Sequence, residues 1–306
     1  MKGSDMNDKR VSRRDVLQTA AVAGLAPLIA AAPAAANLPR PGGERGYARG
    51  PHGQVHYHDN QGASAMPLLL LHQAPMSHRQ FDAVYGPLKQ RGVRAIGIDM
   101  PGFGMSDPTP FVPKVADWAS SIAAVLDHLR IRQADVLGHH TGALLATEVA
   151  LQYPARVRRV ILNGPFPITE SERAMFLADL QKTEIDFEYR ADGTHLSESF
   201  VKRSKFYGPD ADPKHITRIQ VEKFMGYGPF WYGHNAAYRY DHASTLKLLK
   251  HPTLILTNTG DMAYPMAQRA RQMRPDMAYV ELQGGNVDIV DQATEPWSDA
   301  VKAFVA

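Results

Sequence analysis

The fold is decided by residues 136–143, which read Val-Leu-Gly-His-His-Thr-Gly-Ala. An apolar strand, predicted over 134–137, leads into this stretch, and a helix with apolar residues at helical spacing leaves it over 142–153. Gly138 and Gly142 bracket a short turn between the two elements, with His140 inside it. The pattern therefore predicts a buried strand that passes through a sharp turn directly into a helix.

The alternation of strand and helix continues in both directions along the chain. Short apolar runs predict further strands over 66–72, 93–99, 157–162, 252–257 and 278–282, and the polar, β-prone residues 53–59 suit early antiparallel strands. Helical spacing predicts helices over 79–90, around 118–126 and over 294–305. Strands that alternate with helices indicate the α/β class, with a mostly parallel, doubly wound sheet covered on both faces.

One long stretch, residues 166–250, interrupts this alternation. It is rich in aromatic residues and histidine and lies between two predicted sheet strands. We interpret it as an inserted helical cap, so that residues 37–165 and 251–306 form the core.

The first 36 residues have the pattern of an export signal. Residues 12–18 contain the pair Arg13 and Arg14, an uncharged alanine-rich run follows, and 34–36 form an A-x-A cleavage site. The segment resembles a twin-arginine signal peptide, which implies export of the folded chain by the twin-arginine machinery to the periplasm, or secretion, after cleavage near Ala36. The alternative is a short membrane anchor, but Pro27 and Pro33 interrupt the run and no stable anchor is expected.

Composition excludes several classes of site and partner. The chain of 306 residues has no cysteine, which excludes disulfides, Cys-ligated metals and a thiol nucleophile. The predicted signal holds five basic and three acidic residues, so its removal lowers the net charge from +3 to +1, and no nucleic-acid partner is expected. No glycine-rich dinucleotide loop or P-loop follows the early strands, so we expect no cofactor.

The turn around His140 resembles the strand, elbow and helix of the α/β-hydrolase superfamily, whose G-x-S-x-G motif presents a nucleophile above the sheet. Three further segments agree in chain order. Residues 71–75 resemble the oxyanion loop, 99–107 resemble the D-x-x-G-x-G-x-S stretch, and 254–261 resemble the strand and turn that present the catalytic acid. The resemblance implies a capped α/β-hydrolase fold, with Asp261 as the acid.

The elbow departs from this family pattern at the residue that carries the chemistry. Position 140 should be Ser, Asp or Cys and is histidine. The family's final histidine is also missing, because its segment, 284–297, places Val287 or Asn286 in that position. A serine triad needs a hydroxyl, an imidazole and a carboxylate, and two of these three are absent here.

We therefore expect His140 to act as a general base with Asp261. From bond lengths and the spacing of a triad, the two groups should lie about 5 Å apart, with a bridging water that would become the nucleophile. Thr141 N–H and Gln73 N–H are the expected oxyanion donors. Direct attack by His140, to form an acyl-imidazole, is an alternative.

Other residues are expected to line the substrate pocket. His139, Val287 and the cap residues Trp231, Tyr232 and His234 are the candidates, and His234 could supply the missing imidazole. No metal site is expected, because adjacent histidines at a turn diverge and no third ligand is signalled. Asp288 and Asp291 are expected to cap or solvate the last helix.

These features predict an exported enzyme that hydrolyses a small apolar ester, lactone or related carbonyl substrate by histidine-based chemistry. Two alternatives stay open. The chain could be a non-catalytic member of the fold that binds a small ligand, or a lyase, isomerase or cofactor-independent oxygenase that uses the same pocket.

Overall fold

The computed structural model describes residues 43–208 and 211–306. The predicted signal peptide, 1–36, and its cleavage site lie outside these residues. No helix within the described ranges is both long and apolar enough to cross a membrane.

The centre of the molecule is one eight-stranded sheet in the order β1-β2-β4-β3-β5-β6-β7-β8. Its strands are β1 Glu44–Gly50, β2 Gly53–Asp59, β3 Leu68–Leu71, β4 Ala95–Ile98, β5 Ala134–His139, β6 Val157–Asn163, β7 Thr253–Asn258 and β8 Ala278–Leu282. β2 pairs antiparallel with β1 and β4, and the remaining neighbours run parallel. The predicted mostly parallel sheet is confirmed, whereas β1 was not predicted.

The parallel strands read as continuous apolar runs because both of their faces are buried. β3 consists of four leucines, all of them buried. Leu69 and Leu71 belong to the apolar cluster that contains Trp118, whereas Leu68 and Leu70 belong to the cluster that contains Trp297. Since alternate side chains of a strand point to opposite faces, these two clusters lie on opposite sides of the sheet.

Helices cover the sheet and connect its strands. The α-helices are α1 Asp82–Gln90, α2 Val115–His128, α3 Thr141–Gln152, α4 Glu170–Leu180, α5 Thr194–Ser204, α6 Pro213–Met225, α7 Tyr232–Arg239, α8 His242–Leu246, α9 Tyr264–Met273, α10 Ile289–Gln292 and α11 Thr294–Val305. α1 begins later than the predicted helix 79–90, because His78–Phe81 forms a 3₁₀ turn whose first N–H groups are capped by Ser77.

The cap, residues 166–250, contains α4 to α8 and lies between β6 and β7 along the chain. Helix α7 packs against α4 and against α3, the helix that follows the elbow. This packing places the cap beside the elbow.

Parallel pairing brings three loops to one edge of the sheet. Leu71 at the end of β3 pairs with Gly138 of β5, His139 pairs with Asn163 of β6, and Asn163 pairs with Leu256 of β7. The segments after β3, β5 and β7 therefore leave the sheet side by side at its carboxyl edge, where ligands bind in open α/β sheets.

Candidate active site

His140 occupies a strained turn between β5 and α3. Its φ of 47° and ψ of −110° lie in a region that residues other than glycine rarely adopt. The turn is tight, since a Cβ at Gly138 would lie 1.9 Å from the carbonyl oxygen of Gly142, and a Cβ at Gly142 would lie 2.0 Å from that of Leu71. Glycine is therefore required on both sides, and the turn holds His140 at the carboxyl edge of the sheet.

His140 bonds directly to Asp261. Nε2 of the imidazole lies 2.7 Å from Asp261 Oδ2. The expectation of a gap of about 5 Å closed by a bridging water is wrong, because the ring reaches the carboxylate unaided. Gly164 makes the space for it: a Cβ there would lie 2.4 Å from His140 Cδ2. Sequence reasoning missed Gly164, whose signal is a glycine close behind a predicted strand.

The environment of Asp261 decides which ring nitrogen of His140 carries the proton. Burial raises the pKa of Asp261, but the charge and hydrogen bond of His140, together with His139 and the Ala263 N–H, more than offset this effect and the net pKa is lowered. Asp261 is therefore an ionised carboxylate near neutral pH and can only accept hydrogen bonds. It accepts one from Ala263 N–H at Oδ1 and one from His140 Nε2–H at Oδ2. Nδ1 of neutral His140 is left with its unshared electron pair.

A cavity, here called the inner chamber, opens beside the elbow. Its lining is mostly apolar and comes from both the core and the cap: Gln73, Ala74, His140, Thr141, Leu144, Phe166, Arg203, His234, Ala237, Tyr238, Met262, Ala263 and Val287. Nδ1 of His140 forms no hydrogen bond among the described residues, and His140 is part of the chamber wall. A small molecule in the inner chamber would meet an imidazole base.

The two predicted oxyanion donors differ in availability. Gln73 N–H donates to Oε1 of Gln80 at 2.8 Å, because the 3₁₀ turn after the loop folds the Gln80 side chain back onto it. This N–H is engaged, contrary to the expectation. Thr141 N–H, at the start of α3, donates to no acceptor in the described part of the chain. It is the free backbone donor beside His140.

The predicted pocket residues are divided among different places. Val287 and His234 line the inner chamber. Trp231 instead lines a separate cavity with Val115 and Tyr240, and Tyr232 packs against the apolar core. The expectation that Trp231 and Tyr232 contact the substrate is not met, because α7 turns its other face, with His234, toward the elbow.

His234 has a carboxylate partner that sequence reasoning missed. Its Nδ1 lies 2.8 Å from Glu184 Oε1. Burial raises the pKa of Glu184, but His234, Lys223 and Lys202 together outweigh burial and the net pKa is lowered. Glu184 is therefore ionised, and His234 Nδ1–H donates to it. Glu184 lies in a π-helical turn, Gln181–Ile185, 50 residues before its partner, and no local pattern connects the two. The two histidines of the inner chamber's wall, His140 and His234, are therefore each paired with a carboxylate.

His139 is buried behind the elbow and does not line the inner chamber. Since Gln73 N–H donates to Gln80 Oε1, the Nε2 amide of Gln80 faces His139 and donates to its Nδ1. The proton of His139 must then be on Nε2, which has no partner among the described residues. Burial, and then the neighbouring His140, lower the pKa of His139 to about 3, so the ring stays neutral.

Comparison with known proteins agrees with this geometry. A sequence model of the alpha/beta hydrolase fold matches residues 66–289. The chain belongs to the α/β-hydrolase family. The strained turn at His140 joins a sheet strand to a helix, as the turn that carries the family's nucleophile does.

Individual relatives differ in the reactions that their names describe. A 2-hydroxymuconate semialdehyde hydrolase of Pseudomonas sp. (strain CF600) is 40% identical over 88 residues, which are 27% of this chain and less than a third, 31%, of that protein. A non-heme haloperoxidase of Rhodococcus erythropolis is 26% identical over 216 residues, 68% of this chain and 79% of the relative. The structure of a thermophilic esterase from Thermogutta terrifontis aligns with 86% of this chain and 98% of its own, with a TM-score of 0.68 and 19% identity. This last likeness shows the fold alone.

Two clusters in this α/β hydrolase bring histidine and aspartate close enough to suggest a metal. In the first, His139, His140 and Asp261 have ligand atoms within 4.8 Å of one another. The Nε2 atoms of both histidines carry protons, as shown above, so they offer no electron pairs to an ion. This donor set does not suit a metal in its present tautomers.

The second cluster is His56, His78 and Asp99. The Asp99 carboxylate accepts hydrogen bonds from His56 Nδ1, from His78 N and Nδ1 and from Met105 N, at 2.7 to 2.9 Å. Both oxygens are thus doubly occupied. We interpret the cluster as structural, since it fixes the loop after β4 to β2 and to the 3₁₀ turn.

Asp288 connects the cap to the core. It accepts hydrogen bonds from Gln73 Nε2 at 2.6 Å, from His215 Nε2 at 3.0 Å and from the Tyr207 hydroxyl. Its side chain does not cap α10, and Asp291 pairs with Arg218 at 2.9 Å. The expectation that these two aspartates cap or solvate the last helix is wrong, because cap side chains reach both of them.

Replacement of Asp288 by asparagine should loosen this connection. Burial raises the pKa of Asp288. The hydrogen bond from His215, the nearby Arg203 and the Tyr207 hydroxyl lower the pKa by more than burial raises it, so the net pKa is below the ordinary 3.8. The carboxylate therefore contributes stability that is present above about pH 4 and is lost as the pH falls through the lowered pKa. Asp288→Asn should reduce the free energy of unfolding at pH 7 by about 1–3 kcal/mol, and by less near pH 3.

Thermal melting of both proteins at the two pH values measures the difference. Asp276→Asn, which removes an exposed carboxylate paired with Arg274, is the matched control and should melt like the parent. A loss of stability in Asp288→Asn that is equal at both pH values, or no loss at pH 7, would show that the ionised Asp288 carboxylate does not stabilise the fold.

Proposed function

We propose that this α/β hydrolase cleaves a small carbonyl substrate, an ester or a lactone, with a water molecule that His140 activates. The observation that carries the proposal is the 2.7 Å bond between His140 Nε2 and Asp261 Oδ2, which leaves Nδ1 as the base beside the inner chamber. In the family's triad, an acid orients a histidine that activates a serine. Here the histidine is at the serine position, so it activates water instead.

The proposed reaction begins with proton transfer. Water gives a proton to His140 Nδ1 as its oxygen bonds to the carbonyl carbon, and the Asp261 carboxylate stabilises the imidazolium that forms. The carbonyl π electrons move to oxygen, and the free Thr141 N–H, at the N-terminus of α3, is the donor available to that oxyanion. Collapse of the tetrahedral species then breaks the bond to the leaving oxygen.

His234 is the proposed proton donor to the leaving oxygen. It lines the same chamber as His140, and its bond to Glu184 leaves Nε2 as the free ring nitrogen. In this step His234 is an imidazolium, protonated at both ring nitrogens and stabilised by the ionised Glu184. Its Nε2–H protonates the departing alkoxide. Both histidines then return to their starting states by proton exchange with solvent. Two imidazoles with separate carboxylate partners can divide the acid and base roles.

A second candidate function rests on the same base. Position 140 offers an imidazole where the family has a hydroxyl, carboxylate or thiol, and such a base also removes a proton next to a carbonyl group, as a lyase or isomerase does. Turnover in D₂O separates the two reactions, because proton abstraction exchanges deuterium into the α-carbon without consuming the ester. Binding without either reaction would favour the non-catalytic alternative.

Substitutions at the elbow test the role of His140. We expect His140→Ala and Asp261→Asn to reduce kcat for aryl esters and lactones by about 10²–10⁴, since the first removes the base and the second its carboxylate. His140→Ser should be as inactive as His140→Ala, because the position of the family's histidine holds Val287 or Asn286, and neither can take the proton of the new hydroxyl. The control is His128→Ala, which removes an exposed histidine on α2.

Circular dichroism and thermal melting confirm that each variant folds. If the purified parent hydrolyses none of these substrates, or if His140→Ala retains the parent's activity, the proposed mechanism is wrong.

The dependence on the leaving group tests His234. A proton donor matters most for a poor leaving group, so His234→Gln should slow hydrolysis of an alkyl ester at least about tenfold more than that of the matching p-nitrophenyl ester. Glu184→Gln should show the same selective loss to a smaller extent. An equal loss with both esters would show that His234 shapes the chamber without donating a proton.

Export is a further part of the proposal, supported by the pattern of residues 1–36. Arg13→Lys combined with Arg14→Lys should keep the full chain in the cytoplasm, whereas the parent should appear in the periplasmic fraction with its N-terminus near Asn37. Immunoblots of cell fractions measure both. A parent protein that remains cytoplasmic and uncleaved would contradict this part without affecting the proposed chemistry.

A further inference from the structure

The inner chamber has one charged side chain in an otherwise neutral lining. Among the described residues that form its wall, Arg203 alone carries a formal charge apart from the two histidines. Arg203 lies in the last turn of α5. It also lines a second cavity, here called the outer chamber, which shares His234, Tyr238 and Met262 with the inner one. Its guanidinium thus stands where the two spaces meet.

Most of the hydrogen-bonding capacity of Arg203 is unused. A guanidinium has five N–H donors, and the described structure gives this one a single hydrogen bond, from Nη2 to the Tyr207 hydroxyl at 2.8 Å. Its Nε is buried and has no partner among the described residues. A buried charged donor without an acceptor is costly, so the position calls for a further acceptor.

Asp288 is near Arg203 but does not fill this need. The closest approach, from Arg203 Nη2 to Asp288 Oδ2, is 3.8 Å, which is longer than a charge-assisted hydrogen bond. Asp288 already accepts from Gln73, Tyr207 and His215. Asp288 therefore balances the charge of Arg203 in part and leaves its donors free.

The outer chamber is a less suitable place for an anion. Its wall contains Lys202 and Lys223 but also Asp179 and Glu184. Lys202 lies 3.7 Å from Asp179. Lys223 donates to Ser199 Oγ and lies over the rings of Phe187, Phe224 and Phe230. Arg203 also lies over aromatic rings, those of Phe206 and Tyr207, and 3.8 Å from Asp288, but the described wall of the inner chamber holds no carboxylate that competes with a ligand for it.

We propose that Arg203 binds a carboxylate of the substrate, so that the enzyme acts on anionic carbonyl compounds such as half-esters of dicarboxylic acids. The inference rests on the proposed function and narrows its substrate class from a neutral apolar ester to an ester that carries a negative charge. A guanidinium and a carboxylate form paired, charge-assisted hydrogen bonds. A neutral ester in the same space would bring no charged acceptor to the Arg203 guanidinium, which is how a polar site rejects a substrate that lacks its partner group.

A matched substrate pair tests the proposal. The monomethyl ester of a dicarboxylic acid keeps one carboxylate, and the dimethyl ester of the same acid lacks it. The parent should prefer the monoester at least about tenfold in kcat/KM, the ratio expected for one charge-assisted contact. Arg203→Gln should lose this preference, mainly by a higher KM for the monoester, and Arg203→Lys should keep part of it because the charge remains. Arg190→Gln, which removes an exposed cap arginine paired with Glu198, should leave the preference unchanged.

A binding measurement separates this inference from the proposed function. Calorimetry measures binding without turnover. Succinate or glutarate is titrated into the parent, Arg203→Gln and Arg203→Lys. Carboxylate binding that Arg203→Gln abolishes would support the site even if no ester were hydrolysed. Two results together would overturn the inference and leave the histidine mechanism standing. The parent would hydrolyse both esters without a preference for the monoester, and the parent would either bind no dicarboxylate or bind it no more tightly than Arg203→Gln does. The melting temperature of each variant confirms that it folds.

Discussion

The hydrogen bond between His140 and Asp261 is the interaction on which the candidate site depends. It joins the turn after β5 to the turn after β7, and it forms only because His140 adopts a positive φ and Gly164 leaves space for the ring. The strain of such a backbone, of order 1–3 kcal/mol, has to be offset by the packing around it. The buried four-leucine strand β3 and the two glycines of the elbow provide that packing. The same bond also determines the tautomer of His140, and with it the position of the base.

On the cap side of the chamber, a buried carboxylate and an arginine lie where the cap meets the core. Asp288 receives hydrogen bonds from the oxyanion loop and from two cap residues, Tyr207 and His215. These contacts hold the cap against the core at the position where the family's final histidine would be. Arg203 is next to Asp288 but is not saturated by it. Asp288, which follows the position of the family's final histidine, thus joins the cap to the core.

Much of the fold could be predicted because parallel strands buried on both faces must be apolar throughout, and such runs are visible in a sequence. His140 and Asp261 could be placed for a similar reason, since the elbow and the end of β7 are defined by local spacing. The direct bond between them could not, because it depends on the space at Gly164. Glu184 and Arg203 were missed because the cap brings them to the chamber from positions with no local motif. The hydrogen bond from Gln73 N–H could not be predicted either, because its acceptor is the side chain of Gln80, seven residues away.

The proposed chemistry requires that Asp261 hold His140 as the Nε2–H tautomer, with Nδ1 free as the base. Long-range ¹H–¹⁵N NMR correlation of the histidine side chains measures the tautomer directly, with His140→Gln used to assign the signals. We expect neutral His140 to show a protonated Nε2 and an unprotonated Nδ1, and Asp261→Asn to change this pattern. An Nδ1–H tautomer in the parent, or a pattern that Asp261→Asn does not alter, would show that Asp261 does not hold Nδ1 free as the base.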